Sequence, residues 1–216
     1  MKKYIGLFGI LFLFPLAWIL FFGVGGSHHF KTLGYVGPGV KDTVTSSDYV
    51  LPDFAFENQY GQVITSDSLK GKIWMAAFFS MKDEHINDIT ERLLNINWRY
   101  RNEPDVWIVC FSTDGAYDIP SITVPYVENN TKYNRYSNKW QFLRGDQPTM
   151  DSFIRNGFLI DDLSKEARFR LVDGNGQIRA LYGNTEFHFK SASEDIALLK
   201  KEIDLRKYNE RKQKEQ

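Results

Sequence analysis

The chain has 216 residues with 27 basic and 27 acidic side chains, so its formal charge is zero and no basic excess awaits a nucleic-acid backbone. Hydrophobic residues at 43% and aromatics at 15% supply enough apolar material for a packed core and exclude disorder throughout. The single cysteine, Cys110, excludes an intrachain disulfide, a Cys-x-x-Cys redox pair and any metal site built from several thiolates.

Lys2 and Lys3 precede Tyr4 to Val24, a run of 21 residues without a charge. At about 1.5 Å per residue a helix of that length reaches roughly 30 Å, the thickness of a hydrocarbon core. Pro15 falls mid-run, where membrane helices tolerate proline better than water-exposed ones do. The exit, Phe22-Gly23-Val24-Gly25-Gly26-Ser27, offers no clean Ala-x-Ala cleavage site, and no cysteine follows for lipid attachment. Residues 1–25 are therefore read as one uncleaved transmembrane helix, with a cleaved signal peptide as the alternative. Its short basic end stays cytoplasmic by the positive-inside rule, which predicts residues 26–216 on the outer, periplasmic side. Without Lys2 and Lys3 that part carries 25 basic and 27 acidic residues, a net of −2.

Residues 26–48 are rich in Gly, Ser, Thr and His, show no apolar period and predict a linker. His28 and His29 read as a solvated interfacial stretch rather than a metal pair. Phe54-Ala55-Phe56 and Val63-Ile64-Thr65 flank the turn signal Gln59-Tyr60-Gly61-Gln62 and predict two strands. Ile73 to Phe79 (IWMAAFF) and Val106 to Phe111 (VWIVCF) are apolar runs suited to strands buried on both faces. Between them Ile86, Ile89, Leu93, Ile96 and Tyr100 recur at helical spacing, which makes a βαβ unit with a right-handed crossover. After a loop-like stretch beyond Asp114, Trp140 to Leu143 predicts a short strand and Pro148 to Arg155 a helix with proline in its first turn. Ala167 to Val172 and Gln177 to Tyr182, around Gly174-Asn175-Gly176, predict a hairpin. The last helix is expected to open at the capping-box spacing Ser191–Glu194 and to bury Ile196, Leu199 and Ile203. Lys200 to Gln216, with seven basic and four acidic residues, reads as a solvated or frayed end rather than a binding patch.

This order is that of an α/β thioredoxin-like fold, a central mixed sheet with flanking helices, preceded by one N-terminal transmembrane helix. The domain is placed at residues 49–205 and a charged tail at 206–216. Particular residues sharpen the likeness. Leu51-Pro52-Asp53-Phe54-Ala55-Phe56-Glu57-Asn58-Gln59-Tyr60-Gly61-Gln62 resembles the domain opening of the Sco/SenC family of membrane-anchored thioredoxin-fold proteins. The resemblance continues in Leu69-Lys70-Gly71-Lys72-Ile73-Trp74, in Phe111-Ser112-Thr113-Asp114 with Asp118 and Pro120, and in Lys139-Trp140-Gln141-Phe142-Leu143-Arg144-Gly145-Asp146. It ends in Phe169-Arg170-Leu171-Val172-Asp173, Gly176-Gln177-Ile178-Arg179 and Tyr182-Gly183-Asn184-Thr185.

The resemblance implies a role in delivering copper to cytochrome c oxidase or reducing its cysteines, through a Cys-x-x-x-Cys pair and a distant histidine. Two thiolates and an imidazole suit copper ions. Here the cysteine positions fall on Lys82 or Asp83 and on Ile86 or Asn87, and the histidine position on Lys165, an ammonium that donates and cannot ligate. The reading is a degenerate copper site: no catalytic or cofactor-binding residue, no metal and no copper. The alternative is a non-cysteine metal site at Asp83, Glu84 and His85, beside Met81. Against it, adjacent residues point in different directions, and acidic residues in a first helical turn already follow from the helix dipole. Cys110 inside VWIVCF reads as a core residue, Asp114 and Asp118 as loop turns and His188 as packing. No enzymatic constellation appears. The expected partners are the membrane and a protein of the cell envelope, with respiratory oxidase subunits implied by the resemblance.

Overall fold

The runs IWMAAFF and VWIVCF are too short for buried helices, and their aromatic and β-branched residues fit a pleated surface. In the computed structural model they are the centre of a five-stranded sheet. The structure describes residues 14–15, 32–38, 48–80, 86–114, 138–162, 168–183 and 186–214. In chain order these form strands β1 (Ala55–Glu57), β2 (Val63–Thr65) and β3 (Ile73–Phe79), helix α1 (Ile86–Arg99), and strands β4 (Val106–Ser112) and β5 (Trp140–Leu143). Helix α2 (Gln147–Gly157), the strands β6 (Phe169–Val172) and β7 (Ile178–Tyr182), and helix α3 (Glu186–Lys214) follow.

The sheet order is β5-β4-β3-β6-β7. β3 pairs with β4 in parallel from Ile73 opposite Val106 to Phe79 opposite Ser112, and β5 continues the parallel set. β6 returns antiparallel to β3, and β7 antiparallel to β6, so the sheet is mixed as predicted. Alternation along the central strands separates two cores. Ile73, Met75, Ala77, Ile108 and Cys110 face α1 and α3, whereas Trp74, Ala76, Phe78, Val109 and Phe111 face α2 and β1. The second core is aromatic: Phe111 packs edge-on or tilted against Phe54, Phe56, Phe153 and Phe158 at centroid distances of 5.3–6.2 Å.

The sheet therefore has two ends. At its upper edge β3, β4 and β5 finish and β6 begins, with the Phe78 amide bonded to the Arg168 carbonyl. At its lower edge β3 and β4 begin, and α1 ends beside them. Helix α3 runs from top to bottom: Phe189 packs on Phe169 near the upper edge, and Lys200 pairs with Glu103 and Asp105 at the lower one.

Three details differ from the sequence expectation. α3 starts at Glu186, so Ser191 and Glu194 lie inside the helix; burial of Phe189, Ala192 and Ser193 extends it upstream of the capping signal. Its far end stays helical to Lys214. Part of the expected linker is also docked on β7. The Val36 amide bonds to the Ile178 carbonyl at 2.8 Å, and Val36 is buried. Backbone bonds hold this stretch, and apolar periodicity does not register them. The expected anchor lies outside the described residues apart from 14–15; among the described residues no helix is long and apolar enough to cross a membrane.

Candidate functional site

Parallel strands in register end side by side, and the residues after them meet at one edge, where open α/β sheets carry their sites. Ser80, one residue past β3, donates its hydroxyl to Asp114 Oδ1 at 2.7 Å. The Asp114 amide in turn bonds to Ser112 Oγ at 3.3 Å. Gln147, at the start of α2, donates to the Thr113 carbonyl at 3.1 Å and to Asp151 Oδ1 at 2.7 Å. Asp146 caps α2 by accepting from the Thr149 amide at 3.0 Å, and bonding from the Thr149 side chain and then from that amide holds its carboxyl below the usual carboxylate range. The turn role expected of Asp114 is thus joined by a bond across to the β3 exit. The hydroxyl given to the carboxylate ties the loop after β3 to the loop after β4.

Of the positions corresponding to copper ligands, Ile86 and Asn87 open α1. Ile86 is half-buried against the core and Asn87 is exposed. An alkyl side chain and an amide are not soft ligands. Lys82, Lys165 and Asp118 lie outside the described residues, as do Asp83, Glu84 and His85 of the alternative metal reading.

Cys110 sits on β4 facing α1 and α3 and is buried. Burial pushes its thiol up to about 12, while the Trp140 indole, donating to Sγ at 3.2 Å, acts weakly the other way. The thiol is neutral near pH 7 and is no nucleophile. The Ser80–Asp114 bond spans 34 positions and escaped sequence reasoning. The signal that would have found it is the parallel register of the two apolar runs, since Phe79 opposite Ser112 puts the next residues of both strands at the same edge.

A second polar centre lies at the lower edge. Arg179 on β7 is buried and bonds to Asp173 Oδ2 at 2.9 Å and Glu202 Oε2 at 3.1 Å. It also donates to the carbonyls of Leu33 at 2.8 Å and Gly34 at 3.1 Å and lies 4.1 Å from the Tyr35 ring centroid. One guanidinium thus joins the docked lead-in, the hairpin and α3. Burial alone would lower its pKa, but the bonds it donates to Glu202 and Asp173 outweigh that and keep it firmly charged.

No family model matches the chain. In sequence it is 27% identical over 161 residues to the SCO1 protein homolog of Bacillus subtilis, covering 69% of this chain and 80% of that protein. Its fold matches a SCO1/SenC family lipoprotein from Bacillus anthracis with a TM-score of 0.59 and 23% identity, over 70% of this chain and 95% of that one. It also matches BsSco, a member of the Sco family of cytochrome c oxidase assembly proteins in which a disulfide switch was identified. There the TM-score is 0.58 and the identity 25%, over 73% of this chain and 95% of BsSco.

Proposed function

We propose, from the premise that the chain is a Sco/SenC relative in sequence and fold, that it is a membrane-anchored thioredoxin-fold protein acting by protein contact in the assembly of a respiratory oxidase, without copper binding or thiol redox chemistry of its own. The scaffold is retained and its chemistry is not. One observation carries the reading: the only thiol is walled into β4 as a neutral group, while Ile86 and Asn87 bring no sulfur to the edge where the family's pair is expected. A single buried thiol cannot form the two-thiolate set that holds copper, nor cycle through an intramolecular disulfide.

The test is metal retention. Purified full-length protein is incubated with Cu(I) and, separately, Cu(II), desalted, and its copper counted against protein. The expected result is well below one ion per chain. Stoichiometric copper after desalting overturns the proposal, and loss of that copper in His85→Ala moves the assignment to the non-cysteine site at Asp83, Glu84 and His85. In cells, crosslinking from membranes is expected to capture oxidase subunits, with Cys110→Ala capturing them equally. Capture that depends on Cys110 would restore a thiol mechanism.

A further inference from the structure

Helix α3 outlasts the domain it packs on. Its last buried residue is Ile203, and 204–214 are exposed throughout. At about 1.5 Å per residue this end projects roughly 16 Å past the lower edge of the sheet. A helical stretch of that length gains little from propensity alone in water, so its surroundings decide whether it persists. Its composition points to those surroundings. Residues 204–214 hold five basic and two acidic side chains, a net of three positive charges. Leu205 and Tyr208, three apart and therefore on one side of the helix, are 38% and 54% exposed, and Lys212 Nζ stands 5.1 Å from the Tyr208 ring centroid. An apolar pair bordered by long cations is the pattern of an interfacial helix, with rings and alkyl stems at headgroup level and ammonium groups reaching outward. A second aromatic–cation pair lies at the same end, where α1 finishes: Trp98 is 49% exposed with the Arg101 guanidinium 4.4 Å from its ring.

The covalent chain supplies an independent argument. Arg179 grips both the Leu33 and Gly34 carbonyls and Glu202, so the point where residue 32 joins the domain is fixed next to the root of the projecting end. Only seven residues separate Val24, the last of the apolar run, from Thr32, which makes eight Cα–Cα steps. Fully extended, those eight steps span at most about 28 Å.

We infer that the projecting end of α3, through Leu205, Tyr208 and its basic side chains, rests on the headgroups of an anionic lipid leaflet and so turns the opposite edge, with Ser80 and Asp114, away from the membrane. This rests on the reading of residues 1–25 as a membrane anchor, and the experiment separates the two. Full-length Tyr208→Cys and Asp151→Cys proteins are labelled with an environment-sensitive fluorophore under native conditions, which leave Cys110 buried and unlabelled. Each is reconstituted into vesicles of phosphatidylcholine alone or with about a third phosphatidylglycerol, both carrying a headgroup quencher. Flotation with either vesicle reads the anchor; failure to float overturns the anchor and this proposal with it. In floating protein, the label at 208 is expected to be quenched about threefold more than that at 151 in anionic vesicles. The difference is expected to vanish in neutral vesicles and in Lys207→Glu/Arg211→Glu/Lys212→Glu. Equal quenching at 208 and 151 in anionic vesicles overturns the docking and leaves the anchor standing, as does a signal at 208 indifferent to lipid charge.

Discussion

Arg179 is the residue on which most long-range connections converge: it satisfies two carboxylates and two carbonyls in the interior and stacks beneath Tyr35. Truncation to alanine would strand the buried Asp173 carboxylate and release residues 32–36. The expected loss is about 3–5 kcal/mol, read as a shift in the urea midpoint of the full-length protein. Glu202→Gln should cost less, because that carboxylate is a third exposed. Cys110 makes the complementary case, a group held neutral. Its pKa rises from 9.0 to about 12 on folding, so below pH 9 both states carry the proton and its contribution is complete. As pH climbs from 9 towards 12 the unfolded thiol ionises first, and stability falls. Tyr182 acts in the same direction, its phenol raised by burial and by its bond to Asp195. Denaturation midpoints are expected to decline above pH 9, and Cys110→Ala to flatten part of that slope while costing about 1–2 kcal/mol at neutral pH. An unchanged slope would mean that the thiol is not sealed in the core.

At the scale of elements, the sequence was most legible where burial is two-sided. IWMAAFF and VWIVCF name β3 and β4 almost to the residue, because a strand covered on both faces leaves no room for a polar side chain. The hairpin and α2 are equally plain, since Gly176 adopts a left-handed φ of 78° in the turn and Pro148 stands in the first turn of the helix; the cap, Asp146, reads as a turn residue in the sequence. What stayed hidden depended on partners distant in sequence. The start of α3 was misplaced because a strong local capping pattern lost to the packing of Phe189 on Phe169. The docked lead-in and the Ser80–Asp114 tie have no local signature at all. Gly145 illustrates the same limit: it resembles a turn glycine in sequence, yet it is constrained by contact. A Cβ there would lie 2.7 Å from the Phe56 ring, which β1 lays over the start of α2. Gly145→Ala should therefore destabilise by about 1–3 kcal/mol, with much of the loss recovered when Phe56→Leu is added; additive losses in the double mutant would refute the contact.

For the molecule as a whole, the two ends of the sheet divide the labour. The upper edge gathers the loops where relatives are expected to do their chemistry, and here it holds a hydroxyl–carboxylate tie between β3 and β4. The lower edge gathers the charged clamp, the chain arriving from the apolar run and the basic end of α3. The placement of Cys110 has a last consequence. BsSco is described by a disulfide switch, whereas this chain has one thiol and keeps it behind Trp140 in the middle of its sheet. A single buried thiol leaves no intrachain disulfide to open or close. If the proposed role holds, no intrachain disulfide gates the protein, and its availability to a partner would follow from how much of it is made and where it is held.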